Sequence, residues 1–296
     1  MTSQAISISS IPAKTAAYLE LLKPRLSMLV AFSCAFGYGL ATRGQVNWIV
    51  LAILTLAGFL LSGASVAVNQ VIERDFDAMM ERTKSRPLPT NRVTVVEALI
   101  FAGLCGLMSL ALLWKFTNGL TVVLSIVSFI LYSFVYTPLK RVGPIAVFVG
   151  AFPGALPPLL GWIAATGGIS HEALIIFGIQ FIWQFPHFWA IAWVADDDYK
   201  KAGFKLLPSG GGRDLNTAIQ IMIYTMFLIP LGLLPAKFGM TGLDSAIVAT
   251  VCGVAFFAQT FSLMKTGSRK SALRIMFGSF IYLPVVQIAY LLDKVG

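Results

Sequence analysis

An apolar run over residues 48–68 passes directly into Asn69-Gln-Val-Ile-Glu73-Arg-Asp75-Phe-Asp77-Ala-Met-Met-Glu81-Arg82. A second run, 172–194, leads in the same way to Asp196-Asp197-Asp198-Tyr199-Lys200. These two clusters hold seven of the chain's thirteen carboxylates. Like charges this dense repel one another unless a cation lies between them, and hard oxygen ligands suit Mg²⁺. Basic residues follow each cluster: Arg82, Lys84 and Arg86 after the first, Lys200, Lys201 and Lys205 after the second. Acid for a divalent metal beside base for phosphate oxygens, at a membrane surface, points to chemistry on a lipid diphosphate.

The membrane is implied by composition. The 296 residues are 57% hydrophobic and only 12% charged, against about 25% charged in a soluble domain. Apolar stretches of membrane-spanning length recur throughout, which predicts an all-α polytopic membrane protein. Nine transmembrane helices are expected, near 25–43, 48–68, 94–114, 118–137, 144–164, 172–194, 216–234, 243–264 and 274–292. Residues 1–24 form an N-terminal segment without the pattern of a cleavable signal, and 25–292 a single transmembrane domain. Cys34, Cys105 and Cys252 each lie in an apolar span, far apart, and read as packing residues.

Charge sets the expected orientation. Eighteen of the 22 Lys and Arg residues fall in the N-terminal segment or in the loops after even-numbered spans. Only Arg43, Lys115, Lys237 and Lys294 lie on the other side. By the positive-inside rule the N-terminus and both acidic clusters are cytoplasmic and the C-terminus is outside. The net charge of +9 is thus a topology signal and does not imply a nucleic-acid partner. The clusters follow spans two and six, as two four-helix units sharing one cytoplasmic-side cavity would place them. Pro208-Ser-Gly-Gly-Gly-Arg213 is a flexible stretch suited to a lid.

Asn69-x3-Glu73-x3-Asp77, continuing into Arg82-Thr83-x2-Arg86-Pro87-Leu88, resembles the first aspartate-rich motif of the UbiA superfamily of intramembrane prenyltransferases. Further stretches resemble its protohaem IX farnesyltransferase branch: Leu22-Lys23-Pro24-Arg25, Tyr136-Thr137-Pro138-Leu139-Lys140-Arg141, Gly154-Ala155-Leu156-Pro157-Pro158 with Gly161-Trp162, and Phe185-Pro186-His187-Phe188-Trp189-Ala190. So does Asp198-Tyr199-x2-Ala202-Gly203-x2-Leu206-Leu207-Pro208, and the likeness covers about residues 20–290. Two departures stand out. Glu73 replaces an Asp found in many members, and Val194 falls where a DxxxD second motif would begin. The resemblance implies Mg²⁺-dependent transfer of a farnesyl group from farnesyl diphosphate to haem b, in a bacterial inner membrane. A haem A synthase or terminal oxidase is the partner it implies.

On a helix, Asn69, Glu73 and Asp77 share a face at i, i+4 and i+8, and Asp75 lies off it. The ordinary alternative is a solvated interfacial helix with i,i+4 ion pairs. The expected metal set is Asn69, Glu73, Asp77, Asp197 and Asp198, with Asp198 preferred in the second cluster. Arg82, Lys84, Arg86, Lys140, Arg141, Lys200 and Lys205 are candidates for diphosphate oxygens; positive-inside anchoring is their alternative. His187, an imidazole in an apolar aromatic span, is the candidate haem-binding residue, against a histidine bonded to a neighbouring helix. His171 reads as a surface residue.

Two rivals differ in sequence. A relative with a quinone-precursor or chlorophyll-type acceptor should read DxxxD and needs no Pro186-His187-Phe188-Trp189. A secondary transporter would place polar residues near mid-span. The orientation has a direct check: with native cysteines removed, Ser209→Cys should react with a membrane-impermeant thiol reagent only after the cytoplasmic side is opened. Labelling from outside intact cells would reverse the topology.

Overall fold

The computed structural model describes residues 11–210 and 212–295. In chain order its helices are α1 (Ile11–Leu21), α2 (Pro24–Ala41), α3 (Trp48–Ile72), α4 (Arg74–Met79), α5 (Val95–Phe116) and α6 (Gly119–Ile130). A π-helical segment, Leu131–Tyr136, leads into α7 (Thr137–Leu139). There follow α8 (Ile145–Thr166), α9 (His171–Lys201), α10 (Leu215–Gly232), α11 (Leu234–Lys237), α12 (Leu243–Thr266) and α13 (Arg269–Leu292).

Local chemistry sets where most helices begin. Asn47, Asn118, Ser170, Asp214 and Ser268 each accept from a backbone N–H of the first turn of the helix that follows. Thr94 and Glu97 form a reciprocal capping box on α5. Such caps keep the helix ends satisfied where apolar sequence gives way to loop.

Eight helical stretches among the described residues are long and apolar enough to cross a membrane. They match the second to ninth expected spans. The first corresponds to α2, whose 18 residues open on Pro24 and Arg25. Those two polar-end residues lower its hydropathy, and its length is about 27 Å. It nevertheless packs inside the bundle, between α3 and α8. The N-terminal segment also holds more structure than its polar sequence implies. Helix α1 docks on α3 and α5 through Tyr18 against Phe101 and through Lys14–Glu97 at 2.7 Å, while Glu20 pairs with Arg92.

Helix α3 packs between α2 and α5, and α9 packs among α8, α10 and α13. The two helices that lead into the acidic clusters thus lie in two halves of the bundle. The halves meet where α2 crosses α8, with no room for a Cβ at Gly37 against the Pro158 carbonyl or at Gly161 against the Cys34 carbonyl. Small residues permit such close approach where lipid supplies no hydrophobic drive. Pro158 has no N–H for the Gly154 carbonyl, and Gln180 Nε2 donates to that oxygen at 2.8 Å. Gln180 also accepts from Gln287 at 3.0 Å, and Gln287 meets Ser33, so α2, α8, α9 and α13 share one buried polar knot.

Gly161→Ala should lower the thermal unfolding temperature in detergent, by roughly 2 kcal/mol of stability, because backbone must move. Gly103→Ala, where nothing lies within 4 Å, should leave it unchanged or slightly raised.

Candidate active site

Helix α3 runs out at Glu73, where φ −94 and ψ 7 leave the helical region, and α4 resumes at Arg74. Asn69, Glu73 and Asp77 thus lie on two helices that meet at Glu73, the second ending at Met79. Met80 turns to extended backbone and starts the loop that returns Arg86 to α4. The hydrogen-bond ladder survives the junction: Glu73 N–H donates to the Asn69 carbonyl at 2.9 Å, and Asp77 N–H to that of Glu73 at 2.7 Å. Asn69, Glu73 and Asp77 therefore keep a common face and are 2%, 4% and 0% exposed. Asp75 is exposed and pairs with Arg74.

Two cations from other segments reach this face. Lys140 Nζ lies 2.8 Å from Glu73 Oε1 and 3.1 Å from Oε2. Arg86 Nη1 lies 2.6 Å from Asp77 Oδ2. Each has a device that aims it. Thr83 Oγ1 donates to the Asp77 carbonyl at 2.8 Å, curling the loop back. The π-helical segment delivers Thr137 to Asn69, whose Nδ2 donates to Thr137 Oγ1 at 2.9 Å, and sets Lys140 over the Tyr136 ring. Burial works against charge on Lys140, but Glu73 outweighs it and raises the pKa. At the α1–α2 corner Lys23 sits in the same field. Burial, then Arg86 and Lys140, bring its pKa down to about 7.

The second cluster stands differently from expectation. Asp196 is the buried member, held by Lys200 at 2.7 Å and facing Arg213 at 3.5 Å. Asp197 is exposed and paired with Arg213 at 3.0 Å. Asp198 accepts from the backbone N–H groups of Glu81 and Arg82 at 3.4 and 3.2 Å, so it joins the two clusters directly. Arg82 lies over the Tyr199 ring and Arg141 over that of Phe76. Lys84 turns to Glu81 at 2.5 Å, and Lys205 meets this region through its backbone, donating to the Lys140 carbonyl. Both side chains stay on the surface.

His187 lies in α9, nine residues before Asp196, about 14 Å along the helix. It is buried, stacked on Trp183 with ring centroids 4.4 Å apart, and edged by Phe188 and Phe280. Its Nδ1 meets Ser279 Oγ at 2.8 Å, while Ser279 Oγ donates to the Met276 carbonyl at 2.6 Å. A hydroxyl has one proton, so Nδ1 is the donor and Nε2 keeps its lone pair. The histidine does have a neighbouring-helix partner, and it still presents a free acceptor nitrogen. His171 is exposed, beside Glu172.

Among the described residues no three His, Cys, Asp or Glu side chains form a ready metal cage. The first cluster nonetheless suits a hard cation. Asp77 Oδ1 is buried without a hydrogen-bond partner, and Asn69 turns its amide nitrogen to Thr137, which leaves its carbonyl oxygen as the opposite end of the amide. A cavity of about 800 Å³ lies at the opposite end of the bundle, among Tyr38, Arg43, Trp162 and Lys294. It takes no part in this site.

The sequence profile of the UbiA prenyltransferase family matches residues 30–283. The chain is 53% identical to a protoheme IX farnesyltransferase of Cytophaga hutchinsonii, over 94% of this chain and 98% of that one. The chain belongs to the UbiA prenyltransferase family. The same fold is seen in a solved digeranylgeranylglyceryl phosphate synthase, at TM-score 0.78 and 18% identity over 95% of this chain and 98% of that one. A UbiA homologue from Archaeoglobus fulgidus bound to GPP and Mg²⁺ gives TM-score 0.66 at 16% identity, over 93% and 99%.

In this UbiA chain, sequence reasoning missed Arg213, Thr137 and the buried role of Asp196. Arg213 lay inside a glycine-rich stretch that read as lid. Its guanidinium instead bonds the Trp193 carbonyl at 2.8 Å as well as Asp197. Glu73 and Lys140 are 67 residues apart, a separation no local pattern bridges.

Arg86→Gln and Asp77→Asn should each lower stability by roughly 3 kcal/mol, because either leaves a buried partner uncompensated. The double variant should recover part of that loss. A double-mutant cycle of unfolding in detergent measures the coupling; strict additivity would mean the two side chains are independent.

Proposed function

We propose that this protein transfers the farnesyl group of farnesyl diphosphate to a vinyl group of haem b, giving haem O and diphosphate. The carrying observation is the buried Asn69–Glu73–Asp77 face with its own cations, in a chain 53% identical to a protoheme IX farnesyltransferase. The allylic C–O bond breaks and its electron pair leaves with diphosphate. The vinyl π electrons of haem then attack the allylic carbon. Water captures the resulting cation beside the porphyrin and loses a proton, which yields the hydroxyethylfarnesyl group.

The chain's own residues provide binding and charge. Glu73 and Asp77, with the Asn69 carbonyl, would hold Mg²⁺, joined by carboxylates of the Asp196–Asp198 run. Bound there, the ion neutralises charge on the departing diphosphate. Arg86 and Lys140 now neutralise those carboxylates and are placed to turn to phosphate oxygens once a metal takes their partners. Arg82, Arg141, Lys200 and Lys205 ring the same end, with Lys84 further out. His187 offers Nε2 to haem iron, and Trp183, Phe188 and Phe280 suit a porphyrin face.

Bulk topology follows from charge. We place the protein in the bacterial inner membrane with α2 as a ninth span, the acidic end and N-terminus cytoplasmic and the C-terminus outside. Haem O would pass to a haem A synthase or terminal oxidase. A quinone-precursor acceptor is less well supported, because α9 puts an imidazole with a free lone pair among aromatic rings.

Haem extracted from cells overexpressing the protein should contain haem O. Asp77→Asn should cut its formation about a hundredfold or more while membrane insertion persists, and Asp75→Asn should be milder. His187→Ala should weaken haem binding about tenfold and alter the Soret band, with farnesyl diphosphate binding near normal. Unchanged haem affinity, spectrum and product would make His187 a packing residue.

A further inference from the structure

Ser279 is 0% exposed in the interior of α13, and it serves two rings of α9 that lie against each other, His187 and Trp183. Its Oγ meets His187 Nδ1 at 2.8 Å, and its backbone carbonyl accepts from Trp183 Nε1 at 3.0 Å. The stacked pair, with ring planes 18° from parallel, is therefore fixed at one residue of the facing helix. A serine in an apolar span has no need of such partners. Its ordinary use there is to return its proton to a carbonyl about one turn back.

Ser279 does that as well, and the combination is what carries chemistry. Its Oγ donates to the Met276 carbonyl at 2.6 Å. A carbonyl oxygen only accepts, so the hydroxyl proton is committed there and a lone pair of Oγ is left for Nδ1–H. A hydroxyl donating to Nδ1 instead would leave two oxygens 2.6 Å apart with no proton between them. The outcome is a relay from His187 Nδ1–H through Ser279 Oγ–H to the Met276 carbonyl, in which each bond polarises the next. Every partner in it is neutral. A carboxylate in the place of Ser279 would make the imidazole a stronger iron ligand. A hydroxyl gives a weaker one, as suits a haem that is substrate and has to leave.

We propose that Ser279 is the positioning residue that makes Nε2 the haem-facing nitrogen of His187 and keeps the imidazole a neutral, releasable ligand. This rests on the reading of His187 as the haem-binding residue. Without an acceptor for Nδ1–H, the ring proton is free to move to Nε2 and occupy the ligand position. Trp183 is held by the Ser279 backbone, so replacing the side chain leaves the ring stack anchored and isolates the tautomer.

The tautomer is read on the purified, haem-free full chain by nitrogen NMR of isotope-labelled imidazole, with His171→Gln removing the other histidine's signal. Haem affinity and the Soret band are measured on the same preparations, and farnesyl diphosphate binding in Mg²⁺ is the control for an intact fold. Wild type should carry its proton on Nδ1. Ser279→Ala should move it wholly or partly to Nε2, weaken haem binding roughly tenfold and shift the Soret band, with farnesyl diphosphate binding unchanged. Ser279→Thr keeps a hydroxyl able to make both bonds and should restore the tautomer and the haem signals. Wild type protonated at Nε2 overturns the proposal, and so does Ser279→Ala with the wild-type tautomer and haem affinity. Loss of farnesyl diphosphate binding in Ser279→Ala, without rescue by Ser279→Thr, makes Ser279 structural and also overturns it. A changed tautomer with haem binding untouched removes His187 from the haem site and takes the proposal with it. Weakened haem binding in His187→Ala beside an unaffected Ser279→Ala removes Ser279 alone.

Discussion

Two carboxylates buried at the end of a membrane helix can stay charged only if cations are brought to them. Glu73 and Asp77 are nearly inaccessible, and each is met by a single basic side chain, Lys140 and Arg86. Desolvating such groups costs several kcal/mol per ion, so each pair forces its segments into register. Arg86 returns on Asp77 only because residues 80–86 curl back, pinned by Thr83. Lys140 arrives only because the π-helical segment shifts the end of α6 and turns α7 toward α3. The loop, the helix end and the site are therefore one electrostatic solution.

In the structure the carboxylates and the bases satisfy each other. On the proposed function the same pairs would give the site two states, since a divalent cation on the carboxylates would release the bases for an anion. Metal and diphosphate should thus each favour the other, through differential affinity for one set of side chains. Asp198 extends the coupling, since its carboxylate takes backbone N–H groups from the loop of the first cluster. The end of α9 is thereby in direct contact with residues 81 and 82.

Deeper in the bundle the constraint is neutral hydrogen bonding. Gln180 serves a carbonyl that a proline has left free and locks onto Gln287, with Ser33 closing the knot. In the low dielectric of a membrane interior an unsatisfied amide is costly, so these residues hold the halves in fixed relation. His187 lies two turns further along α9 in the same polar seam, but its ring keeps one nitrogen unspent.

Much of this was legible in residue order. Apolar length marked the spans, because a membrane interior tolerates little else. The 69–73–77 spacing marked one face, because helical periodicity is local and survived even the break at Glu73. Basic asymmetry marked the two ends. The sequence could not say that Asp196 rather than Asp197 turns inward, since three adjacent aspartates look alike until α9's rotation is set by packing. Nor could it reveal Arg213 on Asp197, the docking of α1, or the corner that holds Lys23. Those depend on which segments touch across the bundle. Periodicity and charge are written along the chain, whereas the pairing of buried charges is decided only when the helices close around them.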